Sequence, residues 1–290
     1  MLNTVSLTTR FYDKTAGCVM LLGGFDGLHA GHKTLIAKAK EYALPIGAMT
    51  IVGGKAGNSL FTQEERRILF QRAGVDFLFE LPFSEIKALT DKEFARLLEE
   101  RFSPKAFVCG EDFRFGYKAL GTPETLANAT QVRVERLELL KINGEKISST
   151  KIKDYLADGE VEKANALLGE EFFLLGEVYQ DRQVGRTIGF PTANIRYPEG
   201  KFPLKKGVYE TRIAVDGKEY KGITNYGARP TFNNEDTLTE TYLDSFNGDL
   251  YGRRLQVRFI RCLRGIEKFN SAEALKNQLT EDIRRVREND

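Results

Sequence analysis

Cysteine and histidine are scarce in this chain, and their scarcity narrows what it can be. Cys18, Cys109 and Cys262 stand alone, an odd number with no Cys-x-x-Cys pair. Neither a disulfide framework nor a zinc cage is expected, and a reducing compartment fits better. Only two histidines occur, His29 and His32, three residues apart. An excess of one charge is missing too: 43 Lys and Arg against 41 Asp and Glu leave a net +2. No polyanion-binding role should therefore dominate, and nucleic acid is not an expected partner. No apolar run approaches the ~18 residues that cross a bilayer, so no membrane association is expected. The opening residues, MLNTVSLTTRFYDKTAG, lack the basic, apolar and small-residue regions of a signal peptide, and a cytoplasmic location is expected.

What is present suits two domains. With 290 residues, 41% apolar and 29% charged, the chain can bury a core in each. In the first half, short apolar runs at Val19–Leu22, Ile46–Val52, Phe77–Leu81 and Ala106–Cys109 read as strands. Helical patterns at Gly31–Tyr42, Gln63–Arg72 and Lys92–Arg101 alternate with them, and Thr62 with Glu65 has the spacing of a capping box. Such alternation predicts a Rossmann-type α/β parallel sheet covered by helices. Two short helices are expected between Ser148 and Leu168. After Gly169 the runs Gly207–Val215, Glu219–Asn225, Thr237–Leu243 and Leu255–Cys262 are aromatic or β-branched, with turns such as Asp216-Gly217 between them. An antiparallel barrel or sandwich follows from these, closed by a helix over Ser271–Arg287. The boundary is expected near 169–175, giving domains 1–170 and 171–290.

The two histidines coincide with a glycine-rich turn, Gly23-Gly24-Phe25-Asp26-Gly27-Leu28-His29-Ala30-Gly31-His32, between a predicted strand and a predicted helix. Glycines let backbone approach phosphate, and a helix N-terminus presents unpaired N–H groups to it. Gly24, Phe25, Asp26 and Gly31 are candidate nucleotide contacts, and His29 and His32 can donate to developing phosphate charge. The plainer reading is a strand–helix turn with two exposed imidazoles; a metal pair lacks further ligands. Ser148, Ser149 and Thr150, with Lys153, can grip phosphates or simply cap a helix. Asp112, Phe113 and Arg114, in Gly110–Gly116, suit a stacked ring with its polar edge read out, or a packed loop.

In the second half, Gly185-Arg186-Thr187-Ile188-Gly189-Phe190-Pro191-Thr192-Ala193-Asn194-Ile195 runs a flexible loop into a stiffened one. If extended there, the chain points Thr192 and Asn194 to one face, two neutral oxygens suited to Mg²⁺ carried by ATP. Glu240 lies on a predicted strand and can accept a hydroxyl proton, although spacing alone does not distinguish it from other carboxylates.

Taken with GEDFRFG (110–116), ISST (147–150), GVY (207–209), RPTF (229–232) and DLYG (249–252), these segments resemble the bacterial bifunctional riboflavin kinase/FAD synthetase family over nearly the whole chain. The resemblance implies an N-terminal nucleotidylyltransferase domain that makes FAD from FMN and ATP. It also implies a six-stranded β-barrel that phosphorylates riboflavin to FMN. His29 and His32 would stabilise ATP phosphates; Ser148, Ser149, Thr150 and Lys153 would bind phosphate; Asp112, Phe113 and Arg114 would line the flavin site. Thr192 and Asn194 would hold Mg²⁺–ATP beside Gly185 and Thr187, and Glu240 would be the general base. ATP, Mg²⁺, riboflavin and FMN are the implied cofactor and substrates, for a monomer or weak oligomer. The chain departs from the family pattern at Thr50–Lys55, where a Phe-x-Pro-His-Pro segment is common, at Lys151 and Lys153, where arginines are usual, and at Gln180, where a Gly is expected. A diverged relative with riboflavin kinase activity but weak or lost FAD synthesis, and a non-catalytic flavin-binding regulator, are the alternatives.

Overall fold

The computed structural model describes residues 2–6, 17–53, 58–138, 140–142, 144–180, 192–228 and 237–288. The chain divides into two compact units, 1–149 and 150–290. In the first unit, β1 (Asn3–Ser6), β2 (Val19–Leu22), α1 (Ala30–Lys40), β3 (Ile46–Val52), α2 (Gln63–Arg72) and β4 (Phe77–Pro82) lead into the short α3 (Phe83–Ile86). Then come α4 (Asp91–Phe102), β5 (Ala106–Gly110), α5 (Pro123–Ala129), β6 (Arg133–Leu137) and a small hairpin, β7 (Lys141–Ile142) and β8 (Glu145–Lys146). The six longer strands form one sheet in the order β1-β4-β3-β2-β5-β6, every pairing parallel. Every residue of β2 is buried, as a central parallel strand covered on both faces requires. Met20, Met49, Phe79, Phe94, Leu98 and Phe107 form the heart of the core. Capping boxes at Thr62, Thr90 and Thr122 start α2, α4 and α5, each contributing about 1 kcal/mol.

The second unit opens with α6 (Ser149–Asp158, whose first residue belongs to the first unit) and α7 (Val161–Leu168). The strands β9 (Phe172–Tyr179), β10 (Thr192–Arg196), β11 (Gly207–Val215), β12 (Lys218–Ala228), β13 (Thr237–Leu243) and β14 (Arg254–Arg264) follow, and α8 (Ala272–Glu288) ends the chain. The strands close into a barrel in the order β10-β13-β12-β11-β14-β9, all antiparallel. The expectation of a barrel or sandwich thus resolves to a barrel. Asp216 and Gly217, with φ of 51° and 79°, form the two-residue turn between β11 and β12. Both left-handed angles match the twist of a tight hairpin. Inside the wall the hydroxyls of Thr211, Thr224 and Thr241 join in a buried row at 2.8 and 2.9 Å. Asn165 of α7 donates to Phe259 O at 2.9 Å and accepts from Phe172 N at 2.7 Å, tying that helix to β14 and β9. Arg264 forks onto the fully buried Asp282 and so anchors α8.

Candidate active sites

The sheet order turns outward in both directions from β2, toward β3 on one side and β5 on the other. At such a switch point the loops leaving neighbouring strands separate and leave a crevice. Because Leu22 pairs with Cys109, the turn after β2 and the loop after β5 emerge side by side. Between them lies a cleft of about 600 Å³, lined by Gly24, Phe25, His29, Gly31, His32, Asp112, Phe113, Arg114, Ser148 and Ser149 among others. Ten sequence-predicted residues therefore meet at one site.

His29 is the N-cap of α1, and its Nδ1 accepts from His32 N at 3.2 Å. That bond fixes the tautomer: with Nδ1 accepting, the ring proton sits on Nε2. Burial lowers the His29 pKa to about 4, with Asp112 opposing and Lys146 adding to the shift, so the ring is neutral near pH 7. His32 Nδ1 lies 2.8 Å from Gly27 O. A carbonyl only accepts, so Nδ1 carries hydrogen, and Nε2 becomes a donor when the ring is protonated. The two rings stack with centroids 3.6 Å apart and 14° between planes, and Phe25 packs on His32 at 4.7 Å. Phe25 itself adopts φ 34°, a strained angle held by complete burial of its ring. Unlike α2 and α4, α1 carries no acidic residue in its first turn, leaving its positive end unneutralised.

Sequence reasoning missed several wall residues. Lys146 Nζ pairs with Asp112 at 2.6 Å, and Lys118 also lines the cleft. Met49, Ile51, Phe83, Ile86 and Phe94 form an apolar side suited to a flat ring. Asp26 does not line this cleft: its buried carboxylate accepts from Leu60 N at 3.1 Å and ties down that loop. Thr150 and Lys153 fall in the second unit, where Lys153 Nζ lies 5.6 Å from the Phe202 ring centroid.

The second cleft, of about 550 Å³, is lined by Val178, Thr192, Asn194 and residues of the segment 243–251. Thr192 and Asn194 alternate with the interior residues Ala193 and Ile195, so both face outward from the barrel wall. Asn194 sits directly across from Glu240, which on its other side faces Asn225. Cross-strand partners share a face, so the pairing brings the predicted Glu240 and Asn194 together. Among the described residues, Asn194 Oδ1 is buried with no hydrogen-bond partner. Gly185 and Thr187 lie outside the described residues.

Residues 12–151 match the FAD synthetase family and residues 168–289 the riboflavin kinase family. A bifunctional riboflavin kinase/FMN adenylyltransferase of Pseudomonas fluorescens is 33% identical over 288 residues, 93% of this chain and 92% of that one. The chain belongs to this bifunctional family. The Bacillus subtilis relative of the same description is also 33% identical, over 93% of this chain and 92% of its own length. A crystal structure from Streptococcus pneumoniae, described as a macrolide-efflux protein, superposes with a TM-score of 0.88 at 30% identity, covering 98% of each chain. Among the described residues here, no helix is long and apolar enough to cross a membrane. The two family matches fall on the two clefts in turn: His29 and His32 line one, Thr192 and Asn194 line the other, and Glu240, which is not among the lining residues of the second, stands across the strand pair from Asn194.

Proposed function

We infer that this chain phosphorylates riboflavin to FMN and then adenylylates FMN to FAD, using ATP in both steps. The observation that carries the reading is the presence, in one chain, of two clefts of different chemistry, each within its own family match. In the first, an FMN phosphate oxygen attacks the ATP α-phosphate and pyrophosphate leaves. His29 meets that charge with its Nε2–H as a neutral donor, and His32 adds a charged donor when protonated. The N–H groups at the start of α1, with Ser148 and Ser149, complete the phosphate grip, Gly24, Phe25 and Gly31 allowing close approach. Asp112, Phe113 and Arg114 border the flavin. Asp26 acts one step back, by holding the loop at Leu60.

In the second cleft the ribityl 5′-hydroxyl attacks the γ-phosphate and ADP leaves, Glu240 taking the hydroxyl proton. Mg²⁺ fits the donors present. Asn194 offers a buried, unpartnered oxygen beside the Thr192 hydroxyl. Among the described residues, no cluster of three or more His, Cys, Asp or Glu would hold a metal alone, as suits an ion brought by the nucleotide. Held by Thr192 and Asn194, such an ion would supply neutralisation of phosphate charge. Gly185 and Thr187 are assigned to the nucleotide by their motif. A cytoplasmic monomer or weak oligomer, with the adenylyl-transfer function in 1–170 and the kinase in 171–290, completes the proposal.

Incubation with riboflavin, ATP and Mg²⁺, followed by separation of the flavins, should yield both FMN and FAD. FMN alone would reduce the function to a kinase, and neither product would reduce it to flavin binding. Glu240→Gln should lower FMN formation by ~10²–10⁴-fold and spare FAD synthesis from supplied FMN. FMN formation at the wild-type rate would remove Glu240 from the reaction.

A further inference from the structure

One wall of the second cleft was flagged by no catalytic reading: the segment after β13, from which Phe246, Asn247, Asp249, Leu250 and Tyr251 line the same space as Thr192 and Asn194. The segment leaves β13 through Ser245 at φ 59°, an angle that a serine keeps only where its surroundings impose it. The residue before it, Asp244, is held from the far end of the chain. Arg287, in the last turn of α8, places Nε 2.7 Å from Asp244 Oδ2 and a terminal nitrogen 2.6 Å from Oδ1. Lys221 of β12 joins both sides, its carbonyl accepting from Asp244 N at 2.8 Å and its Nζ donating to Val286 O at 3.1 Å.

We propose that Arg287 is a positioning residue for the phosphotransfer cleft, fixing through Asp244 the wall that faces Thr192 and Asn194. The inference rests on assigning that cleft to riboflavin phosphorylation. Holding α8 in place is not the task of this pair. The helix already has the Arg264–Asp282 fork, and Val286, 2% exposed, packs with Val208 and Ile223. Arg287 is itself 58% exposed, and an ion pair so open to water adds little to global stability. What the planar fork supplies is direction: two bonds hold the Asp244 carboxylate, and the exit path of the strand with it, in one orientation. Lysine, a point charge, holds the charge without the orientation.

The test is steady-state FMN formation by the full chain, varying ATP at saturating riboflavin. Arg287→Ala should raise the KM for ATP about tenfold while kcat falls less than about threefold. Arg287→Lys should fall between, and Asp244→Asn should behave like Arg287→Ala. Exchanging the charges in the double variant Asp244→Arg/Arg287→Asp should recover most of the loss. FAD synthesis from supplied FMN should not change. A KM for ATP within about twofold of wild type in both Arg287→Ala and Asp244→Asn would overturn the proposal. So would an equal loss of both activities with a lower melting temperature, which marks a fold defect. Glu240→Gln separates the two levels. If it forms FMN normally, the cleft assignment fails; if it does not and the Arg287 variants are silent, only the positioning role fails.

Discussion

At the scale of single residues, the first cleft depends on a proton that His29 does not carry. Its folded pKa of about 4 lies below the usual 6.5, so the unfolded chain binds the proton more readily between those values. Stability present above pH 6.5 is therefore lost progressively as pH falls toward 4. His29→Asn should remove that contribution, because an asparagine at the N-cap still accepts from His32 N and never titrates. Urea unfolding from pH 7 to 4.5 should show the variant losing less stability than wild type. The same variant should lose ~10²–10³ in FAD formation with FMN formation intact, since one preorganised donor is gone. Gly31 leaves room for the same ring. A Cβ there would stand 3.2 Å from His29 Nδ1 and 3.3 Å from Cε1. Gly31→Ala should thus lower FAD formation by about tenfold through displacement of the imidazole. A helix would otherwise gain from the change by up to about 1 kcal/mol. Thermal melting beside activity separates the two effects.

Between elements, the buried hydroxyl row of Thr211, Thr224 and Thr241 holds three adjacent barrel strands from within. Thr224 is its middle member, and Thr224→Val should cost about 1–3 kcal/mol by leaving two buried hydroxyls without their shared partner. Chemical denaturation of the barrel unit measures this directly. Elements like these differ in how far the sequence reveals them. The strands β2 to β5 and the helices α1, α2 and α4 were legible because central parallel strands are continuously apolar and Thr62 with Glu65 announces a helix start, whereas the single turn of α3 was not. The turn at Asp216-Gly217 was legible because few residues tolerate its angles. By contrast β1 and β6 are edge strands, and Arg133, Glu135 and Arg136 give β6 no apolar run to recognise. Closure of the barrel is a tertiary fact that no local period encodes. The site divides along the same line. His29 and His32 stood out by rarity and spacing, and Asn194 by its motif. Lys146 had no such signal, and Met49, Ile51 and Phe94 read as ordinary core until the sheet brought them to the cleft.

For the molecule as a whole, the question is where one unit ends. The helices α6 and α7 lie between the two boundaries, the compact division at 149/150 and the expected division at 170/171. Asn165 makes both of its amide bonds to β14 and β9, so a chain starting at Thr150 keeps them and one starting at Gly169 does not. The longer fragment should be folded and phosphorylate riboflavin alone. The shorter should melt lower, two hydrogen bonds and the apolar cover of Val161, Ala164 and Leu168 being lost with α7. Differential scanning calorimetry with a flavin assay on both fragments decides where the kinase begins. The closed barrel carries one further consequence, for chains still being made. Its seam joins β9 to β14, strands whose paired segments stand about eighty residues apart, so the wall stays open until the last strand is supplied. Until then β9 and β11 each present a bare row of amides and carbonyls to any neighbour. Long-range closure of this kind is slow. A message cut short before residue 254 would therefore yield not a weaker kinase but a sticky half-cylinder, and its fate would be aggregation or proteolysis.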